Sequence, residues 1–181
     1  MKNVKLFCIF ASFVLLFMFS CNKENEKVEV GEAKFGTPMN FTSTDLDGNT
    51  VTNEIFKKAD LTLINIWATW CGPCKAELPG LAKIAEKYSA QGYQVIGFVQ
   101  DVTGEENVDI AKSILADAGV KFTVVKNDPS MDAIYADLEA FPTTLFVDKD
   151  GNLVGTEHIG FADEAGFDAL FQKAIETLKN K

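Results

Sequence analysis

The sequence contains no arginine and only one histidine, His158. Its 17 basic residues are all lysines and are outnumbered by 26 acidic ones, which gives a net charge of -9 at pH 7. Such a surface repels phosphate backbones and offers no basic patch to anionic lipid headgroups. The composition therefore argues against nucleic-acid binding and predicts a solvated, acidic surface.

A hydrophobic run long enough to span a bilayer as a mature helix is also missing. Residues 6–19 are almost entirely apolar, but about 14 residues fall short of the roughly 20 that a membrane-spanning helix needs. Lys2 and Lys5 precede this run, which is typical of a secretion signal over residues 1–20. The ending resembles a bacterial lipobox, which implies that Cys21 is lipidated and anchors the protein to a membrane. Ordinary cleavage and an uncleaved signal anchor are the alternatives, and all three place the domain outside the cytoplasm.

Residues 21–36 are charged, carry few apolar side chains and show no periodicity, which predicts a flexible tether. Residues 37–181 alternate strand and helix patterns, which predicts an α/β fold with a central mixed sheet flanked by helices. Asp47-Gly48 predicts an N-terminal β-hairpin extension, and residues 101–120 form a helix-bearing insertion between strands. Strands are predicted over 61–67, 94–99, 122–125, 143–147 and 153–159, and helices over 73–90, 107–118, 131–138 and 163–178. The second of these helices is expected to carry Ile110, Ile114 and Leu115 on one face.

Two of the four cysteines, Cys71 and Cys74, follow a buried strand and open a helix. The N-terminus of a helix presents unpaired N–H groups and a partial positive charge, which stabilise a thiolate. Because the thiolate is the attacking form, we expect Cys71 to attack a partner's disulfide and Cys74, one turn later, to resolve the mixed disulfide. Pro73 suits the first helical turn, where a missing N–H costs nothing.

Other roles for this pair fit the sequence poorly. A structural zinc site needs four ligands, and the remaining candidates are Cys8, which lies within the signal, Cys21, which directly follows it, and His158. Lys75 stands where a c-type haem attachment site has histidine. A purely structural disulfide would close too short a loop to add much stability. No metal site is therefore predicted, and His158, in a predicted strand, is interpreted as structural.

The segment from Asn65 to Lys75, N-I-W-A-T-W-C-G-P-C-K, resembles the signature of the thioredoxin superfamily. Pro79 resembles the proline that kinks the following helix in that family, and Pro142 resembles the cis-proline that faces the cysteine pair. The resemblance covers about residues 37–181. It implies a thioredoxin-like fold and dithiol–disulfide exchange by the Cys71–Cys74 pair without a separate cofactor.

Three details resemble the membrane-tethered, extracytoplasmic TlpA/ResA-like reductases. Asn65 replaces the buried aspartate of general thioredoxins, Glu77 lies three residues after Cys74, and the 101–120 insertion is shared. The resemblance implies a monomer that reduces disulfides in exported proteins, apocytochrome c among them in some members. It also implies a membrane thiol carrier of the CcdA/DsbD type as the electron donor.

The residues around the pair receive individual predictions. Glu77 either tunes proton transfer at the cysteines or is an exposed glutamate near the favourable end of the helix dipole. Pro142 is expected in cis, with the backbone of Phe141 exposed to pair with a substrate strand; a trans proline on an edge strand is the alternative. Trp70 is expected to cover the active-site surface. Gly72 and Pro73 complete the predicted substrate-binding surface.

Two other functions remain open. A thiol peroxidase of the related redoxin group would need a peroxidatic cysteine, usually in a Thr-x-x-Cys context, which Cys71 lacks. A surface lipoprotein that uses the fold only for binding would not need Cys71, Cys74 and Pro142 together. The sequence does not identify the substrate.

Overall fold

The computed structural model describes residues 34–180, so the predicted signal and Cys21 lie outside the described residues. The strands are β1 (Thr42–Thr44), β2 (Thr50–Thr52), β3 (Leu61–Trp67), β4 (Gln94–Val99), β5 (Val124–Lys126), β6 (Thr143–Asp148) and β7 (His158–Ile159). The helices are α1 (Gly72–Ser89), α2 (Val108–Asp117), α3 (Asp132–Tyr135) and α4 (Glu164–Lys179). No helix within these residues is both long and apolar enough to cross a membrane.

Five strands form a mixed sheet in the order β5-β4-β3-β6-β7. β4 runs parallel to β3 and to β5, whereas β6 runs antiparallel to β3 and to β7. The apolar run of β3, interrupted only by Thr62 and Asn65, fits its central place, because a strand covered on both faces has no face exposed to solvent. All seven of its residues are buried.

Alternate residues of β3 belong to two separate cores. Leu63 and Trp67 pack in the core that also contains the buried faces of α1, α2 and α4. Ile64 and Ile66 pack in the opposite core, with residues of the hairpin and α3. Side chains alternate across a strand, so Asn65 points to the same side as Leu63 and Trp67. A polar side chain is thereby placed beneath α1.

The predicted hairpin extension is present as the antiparallel pair β1 and β2. It lies against the edge strand β5, where Asp45 forms a bridge with Val125 and the Ser43 hydroxyl donates to the carbonyl of Lys126 over 2.8 Å. The Asp45 carboxylate holds the turn by accepting from the N–H groups of Asp47 and Asn49. The extension therefore covers one edge of the main sheet.

Several predicted boundaries differ from the structure. Folded structure begins within the predicted tether, because Phe35 is 1% exposed and its N–H donates to Asp137. The strand predicted over 153–159 is reduced to β7 and a bridge between Val147 and Leu153, since Gly155 adopts a left-handed φ of 79° that interrupts an extended chain. The predicted helix over 131–138 is shortened to α3 and a preceding 3-10 turn.

The core-facing side of α2 agrees with the prediction at two of three residues. Leu115 is buried, together with Val108 and Ala111, and Ile114 packs against the same core, whereas Ile110 is 52% exposed.

Candidate active site

Cys71 and Cys74 form a disulfide at the start of α1. Their Cα atoms lie 5.3 Å apart, and the sulfur atoms are bonded at 2.01 Å. Cys71 is the N-cap of α1, and its Sγ accepts a 3.2 Å hydrogen bond from the N–H of Cys74. Such a donor also stabilises a thiolate. The geometry is the one predicted for the pair, a helix N-terminus directly after a buried strand.

The disulfide lies at the boundary between core and solvent. Cys74 is fully buried and Cys71 is 4% exposed, whereas the adjacent Trp70 is 65% exposed. The Trp70 ring meets the ring of Phe141 edge to face, with centroids 5.5 Å apart. Nothing lies within 4 Å of a Cβ built on Gly72, so this turn of α1 has open space beside it.

The Phe141–Pro142 peptide bond is cis, as the sequence predicts. The carbonyl of Pro142 accepts a 2.8 Å hydrogen bond from the N–H of Gly160. Phe141 packs against the core that contains the cysteines. The chain from 160 to 162, which joins β7 to α4, is thus fixed beside the proline.

Glu77 is buried with 1% of its surface exposed, so the interpretation as an exposed helix glutamate is wrong. Its Oε1 accepts a 2.7 Å hydrogen bond from Nδ2 of Asn65, and its Oε2 accepts a 3.1 Å bond from the N–H of Ala162. Burial raises the pKa of Glu77 to about 7, against the two hydrogen bonds, which lower it. A carboxyl group that titrates near neutral pH thus lies one helical turn after Cys74.

Asn65 and Ala162 are the partners that the sequence did not connect to Glu77. Asn65 was identified only as a departure from general thioredoxins, although its place on the α1 side of β3 follows from strand alternation. Ala162 contributes only its backbone N–H, so the identity of its side chain gives no indication of this contact. Oδ1 of Asn65 is buried without a hydrogen-bond partner.

Comparisons with known proteins agree with this geometry. The Redoxin family profile matches residues 31–170. The thiol-disulfide oxidoreductase ResA of Bacillus thuringiensis strain Al Hakam is 32% identical over 133 residues, which cover 72% of this chain and 70% of ResA. The chain belongs to the redoxin family, as a ResA-like thiol-disulfide oxidoreductase.

Solved structures of similar fold include a protein assigned as the thiol:disulfide interchange protein DsbE of Chlorobium tepidum. It is 28% identical to this redoxin, with a TM-score of 0.62, and the match covers 77% of this chain and 93% of DsbE. A thiol:disulfide interchange protein of the thioredoxin family from Chlorobium tepidum TLS has a TM-score of 0.63 at 20% identity, with the same coverage, and supports the fold alone. The thioredoxin-like fold predicted from the sequence is confirmed.

The structure places the predicted site residues of the described chain in two groups. Cys71 caps α1, whose first turns carry Gly72, Pro73, Cys74 and Glu77. Trp70, which precedes Cys71 in the chain, contacts Phe141, which precedes Pro142. His158 is half-buried on β7, opposite Thr144, and its Nε2 has no hydrogen-bond partner. Within residues 34–180 no three His, Cys, Asp or Glu side chains are grouped as a metal ion would require.

Proposed function

We propose that this redoxin reduces disulfides of exported proteins outside the cytoplasm, with Cys71 as the attacking thiol and Cys74 as the resolving thiol. The observation that carries the proposal is the arrangement along α1. Cys71 caps the helix, and its Sγ accepts a hydrogen bond from the N–H of Cys74. Glu77, whose pKa is raised to about 7, is buried one helical turn after Cys74.

The first step forms a mixed disulfide. The Cys71 thiolate attacks one sulfur of the substrate disulfide, a bond forms between the two sulfurs, and the substrate's own S–S bond breaks. The leaving substrate sulfur takes a proton and becomes a thiol. The helix N-terminus lowers the energy of the attacking thiolate, because its unpaired N–H groups face Cys71.

The second step releases the substrate. Cys74 loses its proton and attacks Sγ of Cys71, which restores the Cys71–Cys74 disulfide and expels the second substrate sulfur as a thiol after protonation. In total, two electrons and two protons pass to the substrate. Cys74 is fully buried, so its proton needs a nearby acceptor, and we assign that role to Glu77.

Asn65 suits a glutamate that changes its protonation state. Nδ2 of Asn65 donates to the charged form of Glu77, while Oδ1 is buried without a partner. Rotation of the amide would present Oδ1 to a protonated Glu77 as an acceptor. Both states of the carboxyl group would then be satisfied by the same side chain.

The exposed side of the pair is the proposed substrate surface. Trp70 and Phe141 form an aromatic pair beside Cys71, and Gly72 and Pro73 line the open first turn of α1. We assign to the backbone of Phe141 the pairing with an extended substrate segment, with Pro142 beside it.

The remaining parts of the proposal follow from the family resemblance and the signal-like N-terminus. A membrane thiol carrier of the CcdA/DsbD type would reduce the Cys71–Cys74 disulfide again, so the protein needs no separate cofactor. Lipidated Cys21 would hold the monomer at the membrane. Apocytochrome c is one candidate among the exported substrates.

Trapping tests the proposal. In Cys74→Ser, the mixed disulfide cannot be resolved, so exported proteins should remain covalently attached to Cys71 and be released by dithiothreitol. The matched control is Cys71→Ser, which should trap nothing and should not reduce insulin. Insulin reduction that survives Cys71→Ser would overturn the proposal. Peroxide consumption at a rate above that of disulfide reduction would favour the thiol peroxidase instead.

A further inference from the structure

The loop of residues 68–70 joins β3 to α1 and carries Cys71 into the site. Within the loop, the N–H of Cys71 donates to the carbonyl of Ala68 over 3.0 Å. At its start, the carbonyl of Trp67 accepts from the N–H of Gln100 over 2.9 Å. Its centre, Thr69, is 9% exposed, so its polar groups need partners inside the protein.

Those partners are the two carboxylate oxygens of Asp101. The N–H of Thr69 donates to Oδ1 over 2.9 Å, and the Thr69 hydroxyl donates to Oδ2 over 2.5 Å. One carboxylate thus binds both polar hydrogens of one residue, and hydrogen bonds to a charged acceptor are stronger than neutral ones. Thr69 lies two residues before Cys71.

The backbone at Asp101 is hydrogen-bonded within the 101–120 insertion, and the residues that follow it are hydrogen-bonded to β5 and the residue after it. The Asp101 carbonyl accepts from Nδ2 of Asn107 over 3.2 Å, and the carbonyl of the fully buried Val102 accepts from the N–H of Asn127 over 2.9 Å. The buried Lys126 donates to the carbonyl of Gly104 over 2.9 Å. The chain that carries the Asp101 carboxylate is therefore attached to the main sheet through Val102 and Gly104.

We propose that Asp101 is a positioning residue for the attacking thiol, and that it acts through Thr69 to hold Cys71 at the N-terminus of α1. The inference rests on the proposed function in that Cys71 is taken as the attacking thiol. In the reduced protein no disulfide ties Cys71 to Cys74, so the loop must keep the thiolate facing the N–H groups of the helix. The stabilisation of a thiolate at a helix end falls off within one turn, so a small displacement would weaken it.

The test measures the reactivity of Cys71 in reduced Thr69→Val, which keeps the side-chain shape and loses the hydroxyl bond. The alkylation rate of Cys71 at pH 7, followed by mass spectrometry, is expected to fall about threefold or more, because it follows the thiolate fraction. The equilibrium with glutathione should shift by a similar factor toward the disulfide, because the thiolate exists only in the reduced state. Thr69→Ser keeps the hydroxyl and should match the wild type, and Thr69→Ala gives the same readouts should Thr69→Val not fold.

Two further variants distinguish the positioning of Cys71 from a general loosening of the fold and from an effect of the Asp101 charge on the thiolate. Thr62→Val makes the same change in a buried threonine of β3, whose hydroxyl accepts from Gln94, and should leave Cys71 unchanged. Asp101→Asn removes the charge but keeps an acceptor for the Thr69 N–H, and its amide NH2 can donate to the Thr69 hydroxyl. Two uncharged hydrogen bonds then replace two charged ones, so the alkylation rate should stay within about twofold of the wild type.

An unchanged alkylation rate of Cys71 in Thr69→Val overturns the inference. It is also overturned if Thr62→Val lowers that rate as much as Thr69→Val does, or if Asp101→Asn raises it markedly. Neither readout uses a protein substrate. A failure of the proposed reductase role would therefore appear in the trapping experiment and would leave these measurements intact.

Discussion

The side-chain amide of Asn65 donates a 2.7 Å hydrogen bond to Glu77, and neither residue is more than 1% exposed to solvent. The pair joins the central strand to the helix that carries the cysteines. A carboxyl group in this position costs energy when it is charged, because the water that solvates it elsewhere is absent. Its titration is therefore linked to the stability of the fold.

The first prediction concerns stability and pH. The pKa of Glu77 is about 7 in the folded chain against an ordinary value of 4.5, so between these values the folded state keeps a proton that the unfolded state has lost. The free energy of unfolding then falls as the pH rises through this interval. Glu77→Gln removes this loss. From pH 4.5 to pH 8, the free energy of unfolding of the variant should therefore rise relative to that of the wild type by about 2–3 kcal/mol. Urea denaturation at the two pH values measures the difference.

The control for this experiment is Glu86→Gln, which changes an exposed glutamate on the same helix. It should leave the pH dependence of the wild type in place. A stability difference between Glu77→Gln and the wild type that does not vary with pH would show that the pKa of Glu77 is the same in the folded and unfolded chains, against the prediction.

A second prediction concerns the proton affinity of Glu77 itself. The hydrogen bond from Asn65 favours the charged carboxylate and lowers the pKa. Asn65→Val removes this bond at similar side-chain volume, so the pKa of Glu77 should rise above about 7. Carbon-13 NMR of the labelled glutamate carboxyl groups in the oxidised protein measures it directly. Thr62→Val, at the opposite end of β3, should leave the titration unchanged, and a fall in the pKa of Glu77 in Asn65→Val would contradict the assignment.

The third prediction concerns recognition of protein substrates. Trp70 is 65% exposed and touches Phe141 beside the disulfide, so its truncation should cost contact area with a partner protein and little folding stability. Trp70→Ala should lower kcat/KM for a protein disulfide about tenfold, as central aromatic contacts do in interfaces. Oxidised glutathione, which covers little of this surface, should react at a nearly unchanged rate. Ile110→Ala truncates another exposed apolar side chain, on α2, and should affect neither substrate.

The central strands and the cysteine site were accessible to sequence reasoning because their signals are local. The bounds of β3 and β4 agree with the apolar runs, and α1 and α4 begin and end within one residue of prediction. A strand buried on both faces and a helix opened by Cys-Gly-Pro-Cys are specified by consecutive residues. The cis bond at Pro142 was predicted from the family resemblance and not from local geometry.

The features that the sequence did not reveal depend on distant contacts. Glu77 is buried because the segment before α4 folds over α1, and Ala162 is 85 residues away in the chain. The exposure of Ile110 has a similar origin, since the core side of α2 is set by what it packs against and not by which residues are most apolar. Thr69 and Asp101 meet across two adjacent strand ends, which no periodicity within either segment indicates.

A last prediction tests the close approach of α1 and α4 that places Ala162 above Glu77. A Cβ built on Gly80 would lie 3.1 Å from the backbone nitrogen of Glu164, and 3.4 Å from its Cα. Alanine normally favours a helix over glycine, but here the neighbouring backbone cannot yield easily. Gly80→Ala should therefore destabilise the oxidised protein by about 1–3 kcal/mol, measured by urea denaturation. Gly72→Ala, on the same helix with open space beside it, should be neutral or slightly stabilising, and equal effects of the two substitutions would show that α4 does not constrain α1 at this point.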